Sequence, residues 1–388
     1  MKNNRTFLEK LLDGAEVKWI PLGDVADYEQ PTKYLVNSTV YNDNYPTPVL
    51  TAGKTFILGY TNEDEGIYFA SKSPVIIFDD FTTANKWVDF DFKAKSSAMK
   101  MITSKNEKFA LLKYIYYWLN TLPNNQTDGD HKRQWISNYA NKLIPIPPLP
   151  VQAEIVKILD ALTALTSELT SELTSELTLR QKQYEYYREK LLSHNDSENS
   201  SHQKVDKDKL FSTSNIQWLH LNEIYKFQYG IGNKIPTIGG EYPVYGSNGI
   251  VGSHNEYNSE DAPVIGHIGA YAGIVNWAEG KHFVTYNGII CNKINDNVNS
   301  RYAYYLLLSQ NFIDKANKAS QPFISYDILN KCIVPVPPIG EQQRIVSILD
   351  KFETLTNSIT EGLPLAIEQN QKRYEYYREL LLNFPGRE

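Results

Sequence analysis

From Ile155 onward the apolar positions fall at Leu159, Leu162, Leu165, Leu169, Leu173 and Leu177, then at Tyr184, Tyr187 and Leu191. Steps of three and four place them on one side of an α-helix, so the pattern predicts a helix from Ile155 to Leu191, about 55 Å long at ~1.5 Å per residue. Adding 190 to each number gives Ile345, Leu349, Phe352, Leu355, Ile359, Leu363, Ile367, Tyr374, Tyr377 and Leu381, all apolar. A one-sided helix of this length needs a partner, and the second copy supplies one. Thr-Ser-Glu-Leu occurs three times in succession from Thr166 to Leu177. A period of four drifts only about 40° per step, so these leucines are expected to share a face, and each added tetrapeptide lengthens the helix by ~6 Å. The second copy carries Gly362-Leu363-Pro364 instead, which predicts a kink or break. Pro145, Pro147, Pro148 and Pro150 stiffen the approach and are expected just outside the first helix start.

The offset of 190 holds throughout the tails and drifts to between 188 and 199 in the weaker echoes upstream. Ile144-Pro145-Ile146-Pro147-Pro148-Leu149 recurs as Val334-Pro335-Val336-Pro337-Pro338-Ile339, and Ile155-Val156-Lys157-Ile158-Leu159-Asp160 as Ile345-Val346-Ser347-Ile348-Leu349-Asp350. Tyr184-Glu185-Tyr186-Tyr187-Arg188-Glu189 is repeated unchanged from Tyr374 to Glu379. Upstream echoes are weaker: Lys113 to Leu119 against Arg301 to Leu307, Trp19 against Trp218, and Pro74-Val75-Ile76 against Pro263-Val264-Ile265. The chain is a tandem duplication, each half a divergent globular part followed by a near-constant tail. The boundaries expected are 1–143 for the first globular domain (with an N-terminal helix at about 5–13), 144–200 for its tail, 201–333 for the second domain and 334–388 for the last tail. Phe7-Leu8-Glu9-Lys10-Leu11-Leu12 resembles the end of the tail, Tyr187 to Leu192, as though the repeat were cut at one point of a ring.

Composition places the chain among ordinary globular proteins: 388 residues, of which 41% are hydrophobic. No apolar run approaches the ~18 residues of a membrane span, and no signal-peptide core follows Met1. Cys291 and Cys332 are too far apart for a metal knuckle, so a cytoplasmic, disulfide-free protein is expected. The net charge of −6 speaks against nucleic acid until it is divided. Residues 1–143 hold 17 basic and 17 acidic residues, and residues 201–333 hold 11 of each. The tails hold 5 against 9 and 6 against 8, so the whole excess lies there. In the first domain Lys86, Lys93, Lys95, Lys100, Lys105, Lys108, Lys132 and Arg133 are candidates for a basic face, against scattered solubilising lysines.

Catalytic motifs fail one by one. Thr51-Ala52-Gly53-Lys54-Thr55 hints at a phosphate loop, but the first required glycine is Pro48. Phe227-Gln228-Tyr229-Gly230-Ile231-Gly232 lacks the acidic residue and strand–helix–strand context of a cofactor loop, and no Asn-Pro-Pro-Tyr motif accompanies it. A methyltransferase site is therefore not expected. Asp79 or Asp80, with Asp91 and Lys93, could imitate a Mg²⁺-dependent nuclease, a weak signature whose counterpart in the other half lacks the acids. His202, His220, His254, His267 and His282 show no metal-ligand spacing, so hydrogen-bonding roles are expected and no metal site is.

What remains is polar loop chemistry. Glycine-spaced loops at 246–252 and 266–273, and polar loops at 82–86 and 132–135, carry Asn, Gln, Arg and Lys, the side chains that grip base edges. Their glycines would let backbone approach phosphate closely, against a plain reading as hairpin turns. The candidate DNA-binding residues are Lys54, Thr82, Thr83, Asn85, Lys86, Lys132, Arg133 and Gln134 in the first half. In the second they are Ser247, Asn248, His267, Tyr271, Asn287 and Gln321.

Together the two Pro-rich approaches, the two Ile-Val-x-Ile-Leu-Asp runs, the repeated Tyr-Glu-Tyr-Tyr-Arg-Glu and the tandem Thr-Ser-Glu-Leu block make the whole chain resemble the specificity subunit of type I restriction–modification systems. The resemblance implies a mixed α/β (α+β) fold. Two target-recognition domains would be joined by two long antiparallel, coiled-coil-like helices in a pseudo-two-fold, circular arrangement. Each domain would read one half of a split, asymmetric site in double-stranded DNA. The helices would set the gap and dock two methyltransferase (modification) subunits through Leu162, Leu165, Leu169, Leu173, Leu177, Tyr184, Tyr187, Phe352, Leu355, Ile359, Tyr374 and Tyr377. S-adenosylmethionine, ATP and Mg²⁺ would belong to the modification and restriction subunits, with no catalytic residue in this chain. A helical adaptor that binds proteins and not DNA is the other class to be weighed.

Overall fold

The computed structural model describes residues 6–53, 55–123, 133–193, 215–232, 239–317, 320–358 and 360–384. It divides into two compact units, Met1–Glu172 with Ile367–Glu388 and Leu173–Ala366. The principal helices are α1 (Phe7–Leu12), α2 (Leu112–Leu119), α3 (Leu149–Leu192), α4 (Ser300–Ser309), α5 (Ile339–Asn357) and α6 (Gly362–Leu382). Unit 1 therefore holds the first domain, the start of α3 and α6 from Ile367 onward. Unit 2 holds the second domain, the end of α3 and α5.

In unit 1 a four-stranded sheet runs in the order Ala26–Glu29, Met99–Ser104, Val75–Asp79, Asn85–Val88. Thr47–Leu50 joins Ile57–Thr61 and Lys93–Ala94 in a second, three-stranded sheet. Val75–Asp79 is buried at all five positions, four of them the unbroken apolar run Val75 to Phe78 and the last the carboxylate of Asp79. In unit 2 one six-stranded sheet runs Tyr225–Tyr229, Gly288–Lys293, Ser259–Gly266, Val275–Val284, Tyr242–Gly246, Gly249–His254. Both units share a small antiparallel ribbon outside these sheets. Lys18–Pro21 pairs with Leu143–Ile146 with Trp19 opposite Pro145, and Gln217–His220 pairs with Ile333–Val336 with Trp218 opposite Pro335. A proline is tolerated there because each ribbon has only two strands. The chain thus enters and leaves each domain through adjacent strands.

The helices differ from the sequence expectation in three places. Helix α3 starts at Leu149, so Pro150 sits in its first turn, where a missing N–H costs nothing. Leu165 is 61% exposed while Leu162, Leu169, Leu173 and Leu177 are partly buried, so the drift of the four-residue period carries one leucine off the shared face. The second tail is broken, but the irregular segment precedes Gly362-Leu363-Pro364, which opens α6. Gly362 has φ +81°, and a Cβ there would stand 2.6 Å from the Thr354 carbonyl oxygen, so only glycine fits the turn. Tyr184 is buried, and the half-buried Tyr187 stacks on the half-buried Phe352 at 5.7 Å; Leu355 is also partly buried. Tyr374 is partly buried with its hydroxyl on Thr163, whereas Tyr377 is exposed. Ile359 lies outside the described residues.

The ring suggested by the N-terminus has a physical counterpart in unit 1. Leu8 of α1 shares one core with Leu381, Leu382 and Phe384 at the other end of the chain. Asn370 of α6, buried, donates to the Thr166 carbonyl oxygen and to the Thr170 hydroxyl of α3. A buried amide of this kind fixes the register of two packed helices.

Three polar contacts tie each domain to the helix that leaves it, and all three recur at the repeat offset. The buried Gln152 accepts from the Leu111 N–H and donates to the carbonyl oxygens of Phe109 and Pro147. Gln342 accepts from Asn299 N–H and donates to Asn297 and Pro337 in the same way. The Tyr114 hydroxyl donates to the Pro145 carbonyl and that of Tyr302 to Pro335. Tyr117 donates to Asp160, and Tyr305 to Asp350. Burial, then the bond to the carboxylate, holds both phenols well above the ordinary tyrosine range, so they stay protonated donors. Lys113 completes the first node, over the Trp87 ring and 3.4 Å from Asp160. Arg301 completes the second, over Trp277 and 2.9 Å from Asp350.

Replacing Gln152 by methionine keeps the volume but leaves one N–H and two carbonyls without partners. Urea unfolding should show unit 1 destabilised by about 2–4 kcal/mol, and Gln342→Met should do the same to unit 2.

Candidate nucleic-acid interface

The two domains build the same corner from different residues. In each, the loop after a central strand meets the segment that precedes the ribbon's return strand. In unit 1 that loop is the turn between Val75–Asp79 and Asn85–Val88. The Asp79 carboxylate accepts from the N–H groups of Phe81 and Thr82, and Thr83 N–H donates to the Asp79 carbonyl. Thr83 is buried at φ +63°, a costly conformation for a β-branched residue, and its hydroxyl has no partner. Asp80 then crosses to the second segment: its carbonyl accepts from Gln134 N–H and its carboxylate from Trp135 N–H, both at 2.8 Å.

In unit 2 the matching loop follows Ser259–Gly266. Gly269 N–H donates to the Pro322 carbonyl, and Ile324 N–H to that of His267. Ser247 Oγ lies 2.8 Å from the Ile268 carbonyl and 2.9 Å from that of Asn287, so three loops share one hydroxyl. A Cβ on Gly266 would fall 2.3 Å from the Tyr271 carbonyl and 2.5 Å from that of Ser247. Here the glycine serves the approach of one loop to another. The corner is floored by aromatics. Tyr229 stacks on Tyr326 with ring centroids 4.2 Å apart, His267 lies 4.3 Å from Tyr229, and Tyr286 meets His267 edge-on at 5.1 Å.

The structure thus brings together Thr82, Thr83, Arg133 and Gln134 in one unit and Ser247, His267 and Asn287 in the other. Gln321 precedes Pro322 and is exposed, as are Asn248 and Tyr271 on the neighbouring loops. Asn85 is partly buried with its Oδ1 unpartnered, and Lys86 is exposed beside it on the strand. Lys54 and Lys132 lie outside the described residues. Sequence reasoning missed Tyr229, Tyr286 and Tyr326, because nothing in their local pattern separates them from ordinary loop and strand residues.

Among the described residues, the candidate basic face keeps Lys86, Lys105, Lys108 and Arg133 exposed but loses two of its members. Lys93 and Lys100 are buried at 2% and 1% exposure, Lys93 pairing with Glu63 at 2.9 Å and Lys100 with Asp80 at 3.7 Å. Lys105 donates to the Gly23 carbonyl. The same contacts dismantle the nuclease alternative: Asp80 and Lys93 are each committed to another partner, and Asp91 accepts from the Ser71 N–H and hydroxyl. Among the described residues no cluster of three or more His, Cys, Asp or Glu could hold a metal. His220, His267 and His282 each place Nδ1 on a backbone carbonyl, and His254 stacks on Phe283. His202 lies outside the described residues. Both cysteines are free and buried, and no described helix is long and apolar enough to cross a membrane.

Comparison with known proteins gives a uniform answer. The family described as type I restriction modification DNA specificity domain matches residues 15–179 and again 220–369. A type I restriction enzyme specificity subunit of Escherichia coli is 49% identical, over 98% of this chain and 97% of its own. A putative counterpart from Haemophilus influenzae is 39% identical, over 99% of this chain and 100% of its own. Two solved structures share the fold at 17% identity. One is the S subunit of a type I restriction–modification system from M. genitalium, with TM-score 0.54 over 97% of this chain and 98% of that one. The other comes from work on complex assembly and conformational transition of the type I system, with TM-score 0.61 over 95% of this chain and 98% of that one.

His282 offers a test of the packing behind the second corner. It is fully buried with Nε2 unpartnered, and burial lowers its pKa below the ordinary 6.5. The unfolded chain therefore binds a proton that the folded chain refuses, so stability falls as pH drops through about 6.5 toward the folded value. Urea midpoints of unit 2 should decline from pH 7.5 to 5.5 in the native chain and decline less in His282→Gln.

Proposed function

Because the chain belongs to the type I restriction–modification specificity subunits, we propose that it chooses the DNA sequence on which a modification complex acts and catalyses nothing itself. Each domain reads one half of a bipartite, asymmetric site in double-stranded DNA, and the long helices set the gap. The observation that carries this reading is the contrast between frame and corner. The contacts made by Gln152 and Gln342 repeat one for one, while the corners are charged in one unit and aromatic in the other. One frame holding two unlike reading surfaces suits a split, asymmetric target.

The partners follow from the tails. Tyr186 and Tyr376 occupy the same position of the unchanged Tyr-Glu-Tyr-Tyr-Arg-Glu repeat and are 57% and 61% exposed. Packing constrains buried positions, but identity at an exposed tyrosine points to one partner surface bound twice, hence two modification subunits. S-adenosylmethionine is then held by those subunits, and ATP and Mg²⁺ by restriction subunits where they join, all in the cytoplasm where the DNA is. The tail acidity suits protein docking, and the near-neutral domains imply weak DNA affinity for this chain alone. An adaptor without DNA preference is the weaker reading, since nothing in it calls for unlike corners on equal frames.

Mapping N6-methyladenine in cells carrying this chain with its modification subunit should give one interrupted motif. Methylation without any motif would refute the reading. Deleting one Thr-Ser-Glu-Leu from α3 removes ~6 Å of helix and should shorten the gap of that motif by one or two base pairs of ~3.4 Å. An unchanged gap would remove the helix from its spacing role.

A further inference from the structure

The buried pair Asp80–Lys100 does no chemistry, and it is an expensive way to hold a turn, since two charges lose their water for one contact. Its surroundings explain it. Lys100 Nζ lies 4.6 Å from the Tyr28 ring centroid as well as 3.7 Å from Asp80 Oδ2. With its amide oriented to satisfy both cations, Gln30 accepts from Lys100 Nζ at 3.2 Å and from Arg133 Nη1 at 3.3 Å. Arg133 itself is exposed and stands immediately before the turn that Asp80 fixes through Gln134 N–H and Trp135 N–H. The surface guanidinium is therefore braced to a buried charge by one neutral amide.

The neutrality of the brace matters. A carboxylate on Arg133 would orient it but would also cancel its charge and compete for its donors. Gln30 takes a single N–H and leaves the rest of the planar fork free. An arginine already oriented loses less side-chain entropy when it meets its ligand. Guanine, with N7 and O6 side by side on its major-groove edge, is the base whose acceptors match such a fork.

We propose that Arg133 reads a guanine in the half-site of the first domain, and that Gln30, Lys100 and Asp80 are positioning residues that hold its guanidinium for that contact. The inference rests on the DNA-specificity reading above. It is tested in the complete complex with its modification subunits, by methylation rates on duplexes carrying each single base change in both half-sites. Arg133→Ala should lower discrimination roughly tenfold or more at one G·C pair of one half-site, leaving the other half-site as it was. Arg133→Lys, which keeps the charge but loses the fork, should leave overall binding within a few-fold and still lose that discrimination. Gln30→Leu should relax the same position by a smaller factor. Unchanged preference at every position of that half-site in Arg133→Ala would overturn the proposal. So would a uniform loss of rate fully restored by Arg133→Lys, which marks a phosphate contact. A native complex with no bipartite preference would instead bring down the DNA-specificity reading itself, and this inference with it.

Discussion

A single buried amide near the start of each long helix carries the architecture. Gln152 and Gln342 each satisfy one N–H and two carbonyls that the approach to the helix leaves open. Buried backbone groups need partners, and loops that run under a helix have none of their own. With that amide in place the tyrosines of α2 and α4 can reach the ribbon carbonyls and the aspartates of α3 and α5. Ile155 and Leu159 in one unit, and Ile345 and Leu349 in the other, share the domain cores, and the polar contacts fix the geometry of that apolar packing.

The two corners solve one problem by different physics. In the first, Asp80, paired with the buried Lys100, accepts the two N–H bonds that tie a strained threonine turn to a helical turn, and the exposed chemistry is charged. In the second, a hydroxyl shared by three loops and a stack of rings do the same work, and the exposed chemistry is aromatic and amide. Preorganisation of the described corner residues is common to both, since each is held by bonds or stacking within its own unit.

Periodicity and duplication made the frame legible in the sequence. The helical pattern of Ile155 to Leu191 and its copy survive in α3, α5 and α6, and the glycine–proline signal does mark a break. Leu165 was misread because a four-residue period drifts, and Pro150 because a proline in the first turn looks the same in sequence as one outside it. The corners were legible as loops but not as sites. Lys93 and Lys100 read as surface charge, since nothing local reveals that Glu63 and Asp80 stand opposite them across other strands. Tyr229 and Tyr326 are almost a hundred positions apart in the chain, and their stacking exists only through the sheet order.

The small ribbon of Trp19 opposite Pro145, and of Trp218 opposite Pro335, has a consequence for heredity. In a domain that leaves and returns through two neighbouring strands, both covalent joins to the frame lie side by side. Recombination between relatives at those joins would exchange a whole reading surface, its frame-facing tyrosines included, while the amide and the long helices remained in place. New targets could then arise by substitution of intact parts, faster than by point changes within a braced corner where each residue holds another.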